Sequence, residues 1–402
     1  MLSVETAREK ILAGLRPLPP EVVALSAAWN RVLAGDVAAR VAVPPSDVSA
    51  MDGYALKAAD IIDVPATLSV VGSAPAGHPY IGHVGQGQAV RLFTGSVVPH
   101  GTDVVIAQED TARSGDQVTI TFSAKAGRHI RRMGGDFAVG DVLLRAPRKL
   151  TARDVGLAAA ANHPWLAVRR RPRIGILATG DEISLPGEEV APGGLVSSNS
   201  HALSALVRAA GADPVLLPIA ADNAAALAEA AAAARGLDLL VTTGGASVGE
   251  HDLIRSVLGD RGLELKFWQI AMRPGKPLMF GDFNGVPLLG LPGNPVSAMV
   301  CGIIFLRPAI DVLLGLPAGA PPTAQVIAGE PLAANDHRAD HLRATLARDD
   351  AGRMVAKPFP VQDSGMLARL AWADCLLLRP AHAPAVSKGD AVSAILLGEL
   401  GI

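Results

Sequence analysis

The sequence predicts a multidomain α/β plus β protein. It should have a central three-layer α/β domain with a mostly parallel sheet, an inserted β-rich module, an N-terminal helical segment and a small C-terminal β-barrel. Three observations carry this expectation. From Arg173 onward, strand-like apolar runs alternate with helix-like runs, the pattern of βαβ units on a parallel sheet. Over 41–137, Pro and Gly become frequent and the apolar runs turn short and β-like. A length of 402 residues also exceeds what a single core organises. The expected division is 1–40 with 138–168, then 41–137, 169–317 and 318–402.

In chain order, residues 3–35 read as helical. Ile11, Leu12 and Leu15 are followed by Val22, Val23 and Leu25, with a break at Pro17, Pro19 and Pro20. The β-rich module shows A-T-L-S-V-V (66–71), Q-A-V-R-L-F (88–93), D-V-V-I-A (103–107) and Q-V-T-I-T-F (117–122). Helix-like sequence returns at 152–161. R-I-G-I-L-A-T (173–179) reads as a strand, and 198–211 as a helix with a Ser/Asn start and a Gly stop. Strands at 213–219 and 237–243 flank a helix at 222–236 capped near Asp222. A Gly-rich loop and a short helix lead to L-E-L-K-F-W-Q-I (263–270) and a hairpin turned at Asn284-Gly285. A long apolar helix starts at Pro295; the run 296–306 is too short to span a bilayer, and Arg307-Pro308 should end it. After a linker at 317–322, the tail reads as short strands around turns such as D-D-A-G (349–352).

Half of the residues are hydrophobic but only 3 % are aromatic, so the cores should be aliphatic. A net charge of −2 argues against a general nucleic-acid binder and leaves a small anionic ligand open. Cys301 and Cys375 stand in apolar surroundings without metal-type spacing, which reads as two buried free thiols. The N-terminus M-L-S-V-E-T-A-R-E-K lacks an apolar signal core. A cytoplasmic protein with no membrane partner is the expectation.

In an open α/β sheet, ligands sit at the carboxyl ends of the strands. Asp181, Glu182, Asp222 and Asp252 all fall there. Acids gathered at one rim repel unless a cation joins them, and Mg²⁺ is held by one or two carboxylates plus ligand oxygens. The bland alternative is that each acid caps a helix. In G-G-A-S-V-G-E-H-D (244–252), Gly244 and Gly245 permit close backbone approach and Ser247 adds a hydroxyl, which suits a phosphate. R-P-G-K-P (273–277) flanks a turn with Arg273 and Lys276, expected to project toward the same region as oxyanion donors or else to form a solvated basic loop. In L-P-G-N-P-V-S (291–297), Asn294 is a plausible cap and Pro295 a first helical residue, with amides free for a second phosphate. The β-rich module carries S-A-M-D-G-Y-A (49–55), T-G-S-V-V-P-H-G-T-D (94–103) and R-R-M-G-G-D (131–136), which by themselves say only ordered polar loops.

Six motifs, S-A-M-D-G-Y-A, T-G-S-V-V-P-H-G-T-D, T-G-D-E (179–182), G-G-A-S-V-G-E-H-D, P-G-K-P and L-P-G-N-P-V-S, occur in the order found in the MoeA and gephyrin E-domain family of molybdopterin molybdenumtransferases, which the sequence resembles over nearly its whole length. The resemblance implies molybdenum insertion into molybdopterin. Adenylylated molybdopterin and molybdate would be the substrates, a divalent cation such as Mg²⁺ would support cleavage, and AMP would leave. By analogy Asp252 and Glu182 serve as metal or catalytic groups, supported by Asp222 and Asp181. Gly244, Gly245 and Ser247 face phosphate or nucleotide, with Pro292, Asn294 and Pro295 in the second phosphate turn. Arg273, Lys276 and Ser297 line a molybdate pocket that Arg343 and Ser364 complete. The family's elongated homodimer would place Asp52, Thr94 and Asp136 in trans, and other molybdenum cofactor biosynthesis proteins are further partners. Three departures stand out: Arg273 where some members have Lys, Gln269 where some have Lys, and Gly135 where Glu is frequent. Tungsten insertion is a variant of the same reading. A molybdopterin adenylyltransferase or CinA-type nucleotide hydrolase explains the α/β motifs but neither flanking β module. A scaffold explains neither the acids nor the cations.

Overall fold

Arg173–Ala178, Leu239–Thr243 and Val286–Leu291 lie side by side and parallel, with Asp213–Leu216 parallel on one edge. Met279–Phe283 and Leu263–Trp268 extend the other edge antiparallel, giving a six-stranded mixed sheet. Alternation along the strands makes the layers. Ile174, Ile176, Val241 and Leu289 enter one core with Leu203, Leu206 and Val207 of the helix Asn199–Ala210. Leu177, Leu240 and Leu288 enter a second core on the opposite face. A computed structural model describes this chain except for residues 222, 224, 227, 228, 230–232, 245–261 and 402. Seven residues of the helix expected at 222–236, and the short helix after the Gly-rich loop, therefore lie outside the described residues.

The sheet belongs to a unit made of Met1–Glu21, Asn30–Ala34 and Val168–Ile402. The hairpin turns where expected: Asn284 and Gly285 have φ of 52° and 84°, the pair of left-handed residues a type I′ turn requires. The apolar helix does not end at Pro308. It runs from Pro295 to Leu313 through a π-helical turn, Gly302–Leu306. Pro308 has no N–H for the carbonyl of Ile304, and a wider turn relieves both that missing bond and the ring clash. This length and composition would suit a membrane span, but most of the helix is buried inside the fold. Only Val4–Ala13 of the predicted 3–35 helical region is a helix in this unit, and Val4, Ala7 and Ile11 bury against the same core. Pro20–Ala24 is a strand instead, because its β-branched Val22 and Val23 follow a proline that cannot continue a helix.

The tail closes into a five-stranded barrel. Ala339–Arg348 pairs with Met354–Pro358 and with Cys375–Arg379. Ala324–Ala328 pairs with Met354–Pro358 and Ala391–Leu396, and Ala391–Leu396 returns to Cys375–Arg379. Met272–Arg273 adds in parallel to Ala339–Arg348, so the R-P-G-K-P turn begins on a barrel edge. Both cysteines are buried free thiols, and burial pushes the Cys375 thiol up to about 12.

The second unit comprises Val22–Trp29 and Gly35–Ala167. Its six-stranded sheet runs in the order Val104–Ala107, Gly53–Leu56, Gln88–Leu92, Ala66–Ala74, Gln117–Ile120 and Thr111–Ser114. The four sequence-predicted strands are all present; Gly53–Leu56, read as a polar loop, is a wholly buried inner strand. The helix Ala152–Ala160 opens with a reciprocal capping box between Thr151 and Asp154.

Candidate active site

Within the first unit, a cleft of about 540 Å³ opens at the carboxyl ends of the parallel strands. Its wall is formed by Thr179, Gly180 and Glu182 after one strand, and by Thr243 and Gly244 after the next. Pro292, Asn294, Pro295 and Ser297 come from the L-P-G-N-P-V-S turn, Pro277 from R-P-G-K-P and Gly365 from the barrel. The first three of these groups meet because each follows a parallel strand of one sheet, whereas Pro277 and Gly365 arrive from the barrel edge and the barrel itself. Gly244 has a φ of +95°, and a Cβ there would stand 2.4 Å from the carbonyl of Thr179. No other residue permits this approach between adjacent strand ends.

Hydrogen bonds fix the turns to one another. The Asn199 Nδ2 donates to Thr243 Oγ1 at 2.8 Å and to the Gly293 carbonyl at 2.7 Å. Thr243 Oγ1 in turn donates to the Pro292 carbonyl at 3.2 Å. Asn294 is the N-cap residue but makes no side-chain cap; its Nδ2 donates across to Ser364 Oγ at 2.9 Å. The Val296 amide, expected to be free for phosphate, instead donates to the Ser364 carbonyl at 3.1 Å. Barrel and sheet are therefore stitched together at the cleft rim.

The charges divide. Arg343 is 1 % exposed, and its Nε and Nη1 reach only Gln362 Oε1 and the Met366 carbonyl. Among the described residues no carboxylate lies within salt-bridge distance of it, and burial followed by Arg369 lowers its pKa. A buried cation left without an anion is costly. Arg273 differs: its Nε and Nη2 clasp Asp340 at 2.7 and 3.0 Å, which raises its pKa, and Asp336 stands 3.4 Å away. It lines a separate cleft of about 630 Å³ with those two acids. The expectation that Arg273 and Lys276 project together is thus corrected: the bidentate pair turns Arg273 toward the barrel edge, while half-buried Lys276 precedes cleft-lining Pro277. Glu182 is the only carboxylate among the described cleft residues, and Asp181 is exposed beside it. Asp222, Gly245, Ser247 and Asp252 lie outside the described residues.

Comparison with known proteins settles the family. Residues 2–162 match the MoeA N-terminal region (domain I and II), 175–312 a probable molybdopterin binding domain, and 325–397 the MoeA C-terminal region (domain IV). A molybdopterin molybdenumtransferase of Nostoc sp. is 36 % identical over 386 residues, covering 94 % of this chain and 88 % of the relative. Another, from Haemophilus influenzae, is 35 % identical over 98 % of both chains. The chain belongs to the molybdopterin molybdenumtransferase family. The crystal structure of the molybdopterin biosynthesis MoeA protein from Pyrococcus horikoshii superposes with a TM-score of 0.85 at 27 % identity, over 98 % of this chain and 99 % of that one.

For a molybdopterin molybdenumtransferase family member, the second unit holds the remaining expected residues. Asp52 accepts from the Thr94 amide and hydroxyl, both at 2.8 Å, and these bonds hold its carboxyl below the usual range. Asp136 is exposed, its amide donating to the Val43 carbonyl at 3.0 Å. Gly135 takes an ordinary φ, but a Cβ there would stand 3.0 Å from the Arg132 carbonyl, so a bulkier residue would need the turn to give. Gln269 has a φ of 70° and its amide donates to the Leu278 carbonyl. Sequence reasoning missed Asn199 and Thr243. Asn199 was legible only as a helix start, yet an amide at a strand-end rim is also a bridging group.

Proposed function

We propose that this chain transfers molybdenum from molybdate into adenylylated molybdopterin, releasing AMP, at the cleft described above. The Asn294–Ser364 hydrogen bond carries this reading, since it brings the barrel loop to the L-P-G-N-P-V-S turn, at a cavity that residues of four family motifs line. Gly180 and Gly244 offer backbone to a phosphate-bearing ligand at close range. Arg343, buried with no carboxylate within salt-bridge distance among the described residues, supplies fixed positive charge behind the rim for an incoming oxyanion. Lys276 and Ser297 complete that side. Arg273 is already neutralised by Asp340 and contributes by tying the turn to the barrel.

The donor set fits a divalent cation: Glu182 faces the cleft, and Mg²⁺ is held by one or two carboxylates with the rest of its shell from ligand oxygens and water. Asp252, with Asp222 and Asp181, is proposed to join it. Bound there, the cation would offset the charge of the phosphoanhydride as AMP departs. The protein's own part is to hold the anhydride and the oxyanion in one orientation. A homodimer in which Asp52, Thr94 and Asp136 of one copy serve the cleft of the other is part of the proposal. The prebuilt Asp52–Thr94 pair supports it.

Glu182→Gln removes a charge without changing shape. It should lower molybdate-stimulated AMP release at least about tenfold while leaving the melting temperature close to wild type, because the side chain is exposed. AMP release equal to wild type across a Mg²⁺ titration would remove Glu182 from the site.

A further inference from the structure

Asn199 lines the cleft, and its amide orientation is fixed by what surrounds it. The Gly293 carbonyl can only accept, so the atom 2.7 Å from it must be Nδ2. The second Nδ2 hydrogen goes to Thr243 Oγ1, whose own hydrogen goes to Pro292. Both donors are therefore committed, and Oδ1 remains as an acceptor with no partner among the described residues.

An oxygen that only accepts repels phosphate, thiolate and oxo groups and welcomes an N–H or O–H donor. The nearby wall selects between these. Leu195 and Val196 line the same cleft and are 60 % and 47 % exposed, with Ile183 beside them. Apolar side chains left open beside a single fixed polar atom suit a flat heterocycle better than a sugar hydroxyl. We infer that Asn199 is a specificity-determining residue whose Oδ1 accepts a hydrogen bond from an exocyclic amino group on the heterocycle of the substrate. This rests on the function proposed above, whose substrate carries two such groups, one on the pterin and one on the adenine.

The test is displacement of adenylylated molybdopterin from the full-length protein by paired competitors. 2-Amino-4-oxopteridine is compared with its 2-oxo counterpart, and AMP with IMP, each pair exchanging one amino group for an oxo group. In wild type the amino member of one pair should compete roughly fivefold better, the worth of one hydrogen bond, and that pair identifies which ring Asn199 reads. Asn199→Ala should abolish the preference. Thr243→Val, which removes one tether but keeps the Gly293 contact, should retain it even if less stable. Absence of preference in both wild-type pairs, or a preference that survives Asn199→Ala, overturns the inference while leaving the proposed function standing. Failure of wild type to bind adenylylated molybdopterin at all overturns both.

Discussion

His341 is 6 % exposed, and its Nδ1 has no hydrogen-bond partner. Burial pushes its pKa down to about 4; the hydrogen bond with the Arg273 backbone and the nearby Glu5 oppose that, and Arg8 adds to it. The folded protein thus keeps this ring neutral while the unfolded chain protonates near 6.5. Stability is full above that value and falls with pH toward 4, because the unfolded state binds the extra proton. Between pH 7.5 and 5 the loss from this residue should be about 2 kcal/mol. Denaturant unfolding at the two pH values checks it: His341→Gln should lose less stability than wild type over that interval. An equal loss in both proteins would place the acid sensitivity elsewhere. At this scale the sequence was partly legible. Glu182, Gly244, Pro292, Asn294, Pro295 and Ser297 were expected at the rim and line the cleft. The partners of Arg273 were not legible, because Asp336 and Asp340 are distant in sequence and reach it only through barrel closure.

Elements governed by local chemistry were read most directly. The Asn284-Gly285 turn is set by two residues that tolerate positive φ, whatever the rest of the chain does. Gly285→Ala should therefore destabilise by about 1–2 kcal/mol, measurable as a shift in denaturant midpoint with unchanged slope. A change below a few tenths would mean the turn relaxes to another type. Elements governed by tertiary context were misread. Gly53–Leu56 carries a sequence that looks like a polar loop, but its neighbours on both sides bury it completely. Pro308 was expected to stop a helix, and the π-helical turn before it lets the helix continue into the core. Pattern alone cannot weigh a ring clash against the burial of Ile303, Phe305 and Ile310.

Across the whole molecule, the cleft residues and the Asp52–Thr94 pair belong to different compact units, and the proposed homodimer joins them between copies. This predicts complementation. Asp52→Ala and Glu182→Gln should each be nearly inactive alone. After mixing and subunit exchange, half of the dimers are mixed and each has one intact site, so activity should recover to about a quarter of wild type. No recovery, with exchange verified, would place Asp52 and Glu182 in one chain's site, whereas an active Asp52→Ala protein would remove Asp52 from it. The most direct test of the account is a single turnover with adenylylated molybdopterin, Mg²⁺ and molybdate, counting AMP released and molybdenum bound to the pterin. Equal amounts of both are expected, dependent on molybdate and lost in Glu182→Gln. AMP release without metal on the pterin, or no release from competent substrate, would contradict it.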